Sequence, residues 1–595
     1  MGWYDKMYTE DFIKKLDLLS KDSKQKEALQ STGSTIVLAG PGSGKTAVLT
    51  VKAAIILQEQ AKPRGVACIT YSQDASLEMR ERLDSYGITD KRRLFVGTIH
   101  HFCIAEILKY AEIFSVRLPY PLKIASRKER ENAFSIAKDM VDDSQSVSEL
   151  QMNVERRNKA GSLSSVTPPS YDLALKVAIE YEKELHKNGV IDFEDIINYS
   201  VKLIQEQDYV RKALMAKYTW IFIDEYQDLG KPLHEIVLSL FYNTKINLFI
   251  VGDPDQSIYS FTGANPNYMN ELLAIGSFYP IRLENNYRSP QKIVDASALV
   301  LGENRNYTGL TNKNAEFYFH ECLDDWEEQF RYLATTIIPE CDVAGINREE
   351  IGILIKGHKQ IALCKQILQQ YNISSYVSKM DFEKSTLINW FEKCAQWLCD
   401  HTSISLVSLM NEWCNNFNLD GHFDPLDGTS ITRFAYQLEN CDKSTLLNWI
   451  NNMISTFNIE DNIIDDEKEN LVNFIGAVQS DDFKCYDLSM FSKIGKPINQ
   501  VVLSTWFAAK GLEFDAIILM GMDEGMMPDY KALDDEEILR EQQRMCFVGV
   551  SRARKKCFLT RSNQYSIYSS RYHRYYTHDY QPSRFWNDLK ARYGN

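Results

Sequence analysis

Eight residues constrain this chain more than any others. Ala39 to Thr46 (AGPGSGKT) set three glycines, a lysine and a threonine between an apolar run, Ser34 to Ala39 (STIVLA), and an apolar-periodic stretch, Val48 to Leu57. Strand, glycine-rich turn and helix in that order make a Walker A loop. Gly40, Pro41, Gly42, Ser43 and Gly44 form the loop whose backbone N–H groups cradle phosphate oxygens at a helix N-terminus. Lys45 adds charge at the outer phosphates, and Thr46 offers a hydroxyl ligand for Mg²⁺. A chain built around this unit has to fold as a parallel α/β core, because the strand preceding the loop must be buried on both faces.

Further apolar runs repeat the pattern: Gly65 to Thr70, Tyr218 to Ile223, Ile246 to Gly252, Ile351 to Lys356, Gln500 to Ser504 and Ala516 to Gly521. Between Ile104 and Val190, and again from about Asp381 to Lys493, the pattern is helical and charged. The expected organisation is therefore two α/β cores, each interrupted once: 1–103 with 191–280 around a helical insertion 104–190, and 281–380 with 494–595 around a reduced insertion 381–493. A length of 595 residues accommodates this. With 67 basic against 81 acidic residues the formal charge is −14, so any polyanion site has to be a local patch. Twelve scattered cysteines lack metal or redox spacing, and no apolar run approaches membrane-spanning length; a cytoplasmic protein with no membrane partner is expected.

Two more segments carry chemistry. Tyr218 to Asp228 (YTWIFIDEYQD) delivers adjacent carboxylates at a strand's C-terminal end, where α/β proteins bind ligands. Asp224 is placed to hold Mg²⁺ and Glu225 to orient or deprotonate an attacking water. Val251 to Ala264 (VGDPDQSIYSFTGA) then combines an amide, Gln256, able to report a γ-phosphate, with the rings of Tyr259 and Phe261, which offer stacking platforms for bases.

In this order the motifs resemble the UvrD/Rep/PcrA family of superfamily 1A helicases over nearly the whole chain. Gln25, fifteen residues before Gly40, matches the family's adenine-reading Gln. TYSQDASLEMR (70–80) and GTIH (97–100) match its motifs Ia and Ib, which implies nucleic-acid contacts at Tyr71, Thr98 and His100. Asp192-Phe193 and RLENNYRS (282–289) match as well, the latter implying that Tyr287 stacks on adenine and Arg288 reaches the γ-phosphate. TWFAAKGLEF (505–514) resembles motif V, with Thr505 at the strand and Glu513 near the ribose. QRMCFVGVSRA (543–553) resembles motif VI, with Arg552 as arginine finger, and PSRF (582–585) is similar to the family's end of the second motor domain. The resemblance implies two RecA-like P-loop motor domains, each with a helical insertion subdomain, using ATP and Mg²⁺ to move 3′ to 5′ along single-stranded or 3′-tailed DNA.

The chain departs from the family at Ala47, where an Arg often stands, at Thr262, in place of an Arg before Gly-Ala, and at Phe507, in place of a His. The second insertion is short and lacks the Gly-Ile-Gly duplex-binding signature, and no nuclease domain is expected after PSRF. These departures leave a second expectation: a DNA-sensing ATPase subunit with a separate nuclease partner, resembling the accessory component of anti-phage defence systems of Gabija type. The Tyr- and Arg-rich stretch from Arg561 to Arg584 reads either as a strand-contacting surface or as a packed turn with exposed arginines.

Overall fold

Six segments of the first half form one parallel sheet. The computed structural model describes residues 9–88, 90, 92–111, 123–142, 145–168, 170–303, 306–377, 385–417, 423–424, 426–463, 465–479, 486–493, 497–569 and 574–594. Strands β1 (Thr35–Ala39), β2 (Gly65–Thr70), β3 (Leu94–Thr98), β4 (Tyr218–Ile223), β5 (Asn247–Gly252) and β6 (Tyr279–Leu283) lie in the order β3-β2-β4-β5-β1-β6. All neighbours are parallel, with Ile36 opposite Ile250 and Val37 opposite Val251. Alternate side chains enter two cores. Ile36, Leu38, Ala67, Ile69, Ile221 and Ile223 face one; Val37, Ala39, Val66, Cys68, Trp220 and Phe222 face the other. Burial on both faces is why these strands read as unbroken apolar runs.

Ten further strands follow among the described residues: β7 (Asn285–Asn286), β8 (Thr308–Gly309), β9 (Glu316–Cys322), β10 (Ile351–Ile355), β11 (Ser375–Val377), β12 (Val501–Thr505), β13 (Phe514–Leu519), β14 (Ala553–Ser562), β15 (Gln564–Ser569) and β16 (Arg574–Asp579). The chain packs as two units, Met1–Leu323 with Ala509–Glu513 and Gly521–Asn595, and Asp324–Ala508 with Phe514–Met520. In the second unit β11, β12, β10 and β13 pair in parallel in that order. Its helices, from Thr386–Cys399 to Leu488–Phe491, bury Trp390, Trp413, Trp449 and Phe434 in an aromatic core. In the first unit β7 pairs with β8 and β9 with β14, both in parallel.

The first unit also holds the helices Arg127–Val141, Glu149–Asn158 and Asp172–Lys187, packed through Ala133, Met152, Val177, Tyr181 and Leu185. They are tied to the helix Phe193–Glu206 by a buried ion cluster. Arg156 is fully buried and donates to Asp192 Oδ2 at 2.5 Å and Oδ1 at 2.9 Å, to Asp195 Oδ1 at 2.8 Å and to Glu182 Oε1 at 2.8 Å. Asp192 also caps that helix in a capping box with Asp195.

The structure differs from the sequence reading in places. Strands β3, β6, β9 and β14 escape a search for apolar runs: β6 (YPIRL) exposes alternate residues and β14 begins Ala-Arg-Lys-Lys. The Tyr- and Arg-rich stretch is an antiparallel hairpin, β15 with β16, of which residues 570–573 lie outside the described residues. Arg561 is not an exposed arginine. It is 2% exposed and donates to Asp523 Oδ1 at 2.9 Å, because the end of β14 runs into the interior.

Candidate nucleotide and nucleic-acid site

The strand order puts the C-terminal ends of β4, β5 and β1 side by side, so the three chemical segments emerge together. After β1, Gly42 and Gly44 have φ of +70° and +82°, conformations that suit glycine. A side chain at position 42 would also meet Asn286 Oδ1 at 2.5 Å and Arg288 Cβ at 2.7 Å. Ser43 Oγ donates to Gly40 O at 2.8 Å and sets the loop's curl. The helix Lys45–Glu59 begins directly after, aiming its free N–H groups into the loop.

At the end of β4, Thr46 Oγ1 donates to Asp224 Oδ2 at 2.9 Å, which brings two hard oxygen donors together as a Mg²⁺ site requires. Glu225 follows in a left-handed conformation, φ +50°, uncommon for a non-glycine residue and a feature of functional turns. Its Oε1 lies 3.2 Å from Lys45 Nζ. The neighbouring carboxylates titrate apart. Burial, then the charge of Glu225, pushes Asp224 up to about 6. Burial works against Glu225 too, but Lys45 and then Lys510 pull it down to about 2, keeping it an ionised acceptor.

After β5, Gln256 Nε2 donates to Asp253 Oδ2 at 2.7 Å, and Gln227 Oε1 accepts from Asp253 N at 2.9 Å. Gln227 also donates through Nε2 to Glu225, so one amide joins the two carboxylate-bearing turns.

Gln25 and Tyr287 converge on the same loop. Gln25 Nε2 donates to Ser43 O at 2.9 Å, and the backbone N–H of Tyr287 donates to Gly42 O at 2.9 Å. Asp22 joins them: its Oδ1 caps the Gln25 helix by accepting from Lys24 N and Gln25 N, and its Oδ2 accepts from Tyr287 Oη at 2.6 Å and Asn285 Nδ2 at 2.7 Å. Ala47 is buried, so the Tyr287 ring, 41% exposed, is the open face here.

Two arginines meet at Ser551. Arg288 donates to Glu513 Oε1 at 2.9 Å and Ser551 O at 3.0 Å, and its buried Nε has no partner among the described residues. Arg552, 2% exposed, donates to Val548 O, Leu512 O and Ser551 Oγ, all neutral oxygens. Burial, then the nearby Arg288, lowers its pKa. A buried and a half-buried cation with an orphaned donor suit an anionic ligand better than they suit each other.

Aromatic rings line the adjoining surface. Tyr71 stacks on Tyr259 at 5.8 Å and 13° between planes, and Phe261 meets Tyr259 edge-on at 6.1 Å. Thr98 caps the turn Ile99–Phe102, accepting from His101 N, and the His100 ring meets Phe193 edge-on at 5.7 Å. Tyr71, Phe261 and Phe193 are 42%, 46% and 47% exposed, so three rings are open to stack on. Thr505 ends β12 in the second unit, where its Oγ1 accepts from Ala508 N at 3.3 Å.

Lys510, Asp228, Gln227, Asp22 and Phe193 join the expected residues. Lys510 Nζ donates to both oxygens of Asp228 and to Gln256 O, each at 2.6 Å, and sits 5.3 Å from the Tyr259 ring centre. Asp228 and Lys510 lie inside the quoted DEYQD and AAKGLEF segments; only their partners were illegible.

A glycine-loop phosphate cradle, a strand-end carboxylate pair, two arginines and a ring-bearing turn on one parallel sheet define a P-loop motor enzyme. Residues 21–274 match the UvrD/REP helicase N-terminal domain and residues 422–564 the UvrD-like helicase C-terminal domain. The chain is 26% identical to the ATP-dependent DNA helicase Rep of Buchnera aphidicola, over 96% of this chain and 98% of that protein. It is 24% and 25% identical to the ATP-dependent DNA helicases PcrA of Staphylococcus epidermidis and Staphylococcus aureus, over 96% of this chain and 86% of each. The chain belongs to the UvrD/Rep/PcrA family of superfamily 1A helicases, whose two RecA-like domains account for its parallel sheets, and is an ATP-hydrolysing DNA helicase.

Proposed function

We propose that the chain moves 3′ to 5′ along single-stranded DNA, hydrolysing ATP with Mg²⁺, and displaces a complementary strand from 3′-tailed duplexes. The observation that carries this reading is Lys510. One ammonium group joins Asp228 beside the carboxylate pair, the Gln256 backbone and the face of Tyr259, so a change at the phosphates is felt at a base-stacking ring.

In this reading Lys45 and the loop Gly40 to Gly44 bind the phosphates, and Gln25 and Tyr287 take the adenine, with Glu513 at the ribose. Thr46 and Asp224 hold Mg²⁺, which supplies charge neutralisation at the phosphate oxygens. Glu225, kept ionised by Lys45, orients the attacking water and accepts its proton. Arg288 gives up Glu513 for the γ-phosphate, and Arg552 stabilises the charge that develops there. Gln256 reports phosphate occupancy to the turn bearing Tyr259 and Phe261. Tyr71, Phe193, Thr98, His100 and Thr505 complete the strand path. The motor domains are 1–103 with 191–280 and 281–380 with 494–595, with insertions 104–190 and 381–493.

The test is ATP hydrolysis with and without single-stranded DNA, for wild type and Glu225→Gln. Stimulation by DNA in the wild type and a fall in kcat of about 10²–10⁴ in the variant, with strand binding retained, are expected. Hydrolysis indifferent to both DNA and the substitution refutes the reading. The accessory-subunit alternative rests on Thr262, Phe507 and the net charge of −14. Co-purification with native neighbours followed by sizing decides it, since a lone monomer with full unwinding activity removes it.

A further inference from the structure

The turn from Ser257 to Gly263 links the phosphate-reporting amide to the exposed rings, so what holds it decides how the two communicate. Its nucleotide side is fixed by three groups: Arg544 Nε donates to Ser257 O at 2.7 Å, Glu541 Oε1 accepts from Ser260 N at 3.0 Å, and Lys510 donates to Gln256 O. The turn borders a cavity of about 980 Å³, lined by Ser260, Gly263, Ala264 and Arg544 among others. Gly263 stands at φ +89°, a conformation that suits glycine, and closes the turn.

Into the far end of the turn reaches Arg157, from the last turn of the insertion helix Glu149–Asn158. Its Nε donates to Glu194 Oε2 at 2.7 Å, Nη2 donates to Glu194 Oε1, and Nη1 donates to the carbonyl of Thr262. Glu194 is buried beside the exposed ring of Phe193. A guanidinium can hold a carboxylate and a carbonyl at a set angle, which an ammonium cannot. Position 262 itself carries no cation; the charge on its backbone comes from the helical insertion 105 residues away.

We infer that Arg157 is a positioning residue that registers the turn 259–263 against the helical insertion, so that a strand seated on Tyr71, Phe193 and Phe261 sets the turn and thereby Gln256. This rests on the motor function proposed above and names the route by which DNA raises ATP hydrolysis.

The experiment compares wild type, Arg157→Gln and Arg157→Lys by titrating oligo(dT) into a steady-state ATPase assay, with thermal melts of each. Maximal stimulation by DNA is expected to fall about fivefold or more in Arg157→Gln, the low end of a coupling effect. Arg157→Lys, which keeps the charge opposite Glu194 and loses the fork, serves if the Gln variant melts early, and it is expected to lose stimulation also. The DNA concentration for half-maximal effect is expected to stay within about twofold, because the stacking rings remain. Full stimulation in the folded variants overturns the inference, as does a pure rise in that half-maximal concentration, the mark of a merely loosened platform. A wild-type ATPase that ignores DNA is a different failure: it sinks the motor reading first, and this inference with it.

Discussion

Lys52 is an unusual residue to find in the core, on the buried face of the helix that begins at the phosphate loop. Its ammonium donates to Leu29 O at 2.8 Å and to Ser31 O, closing the C-terminal end of the short helix that carries Gln25. Burial, opposed by Glu59, brings its pKa down to about 8. Between that value and its ordinary one, the unfolded chain binds more protons than the folded one, so this group's contribution to stability is lost below about pH 8 and grows as pH rises toward 10.5. Urea midpoints of wild type and Lys52→Met at pH 7.5 and 9.5 are therefore expected to diverge in favour of the wild type at the higher pH. A pH-independent difference would show that the lysine is not titrating in the fold.

At the scale of elements, the junction between the insertion helices and the first sheet is electrostatic. Arg156 makes its bonds to Asp192, Asp195 and Glu182 in the interior, and His186 Nε2 lies 3.0 Å from Asp195 Oδ2. Removing one partner of a buried charge cluster leaves the others unpaired, so Arg156→Met is expected to cost about 3–5 kcal/mol by denaturant unfolding. A cost under about 1 kcal/mol would mean that water enters the cluster. The connecting loop is held in a similar way: Glu235 accepts from Leu163 N and Ser164 N, and Glu271 from Ser165 N and the hydroxyls of Ser164 and Ser165. Periodicity located these helices, but none of these pairings, which span 9 to 107 residues.

For the molecule as a whole, the charge of −14 excludes a general attraction to DNA and leaves the work to local groups. Strand displacement on matched duplexes is expected to need ATP and a 3′ tail. Displacement from 5′ tails alone would reverse the proposed polarity, equal displacement from both would remove it, and none from either would leave a translocase or sensor. Among the described residues no helix is long and apolar enough to cross a membrane.

What the chain states alone is whatever chemistry is local. β1, β2 and β4 were legible because strands buried on both faces are apolar at nearly every position, and the loop 39–46 and the turns after β4 and β5 because each holds its reactive groups within a few residues. Tertiary structure decided the rest. It joined Arg288 to Glu513 across 225 residues, Asp22 to Tyr287 across 265 and Lys510 to Asp228 across 282, and brought Arg157 to Thr262. It also turned Glu225 left-handed. A sequence records which groups prefer burial or a turn; which cation meets which carboxylate depends on strand order and helix packing, and these are settled only when the whole core closes.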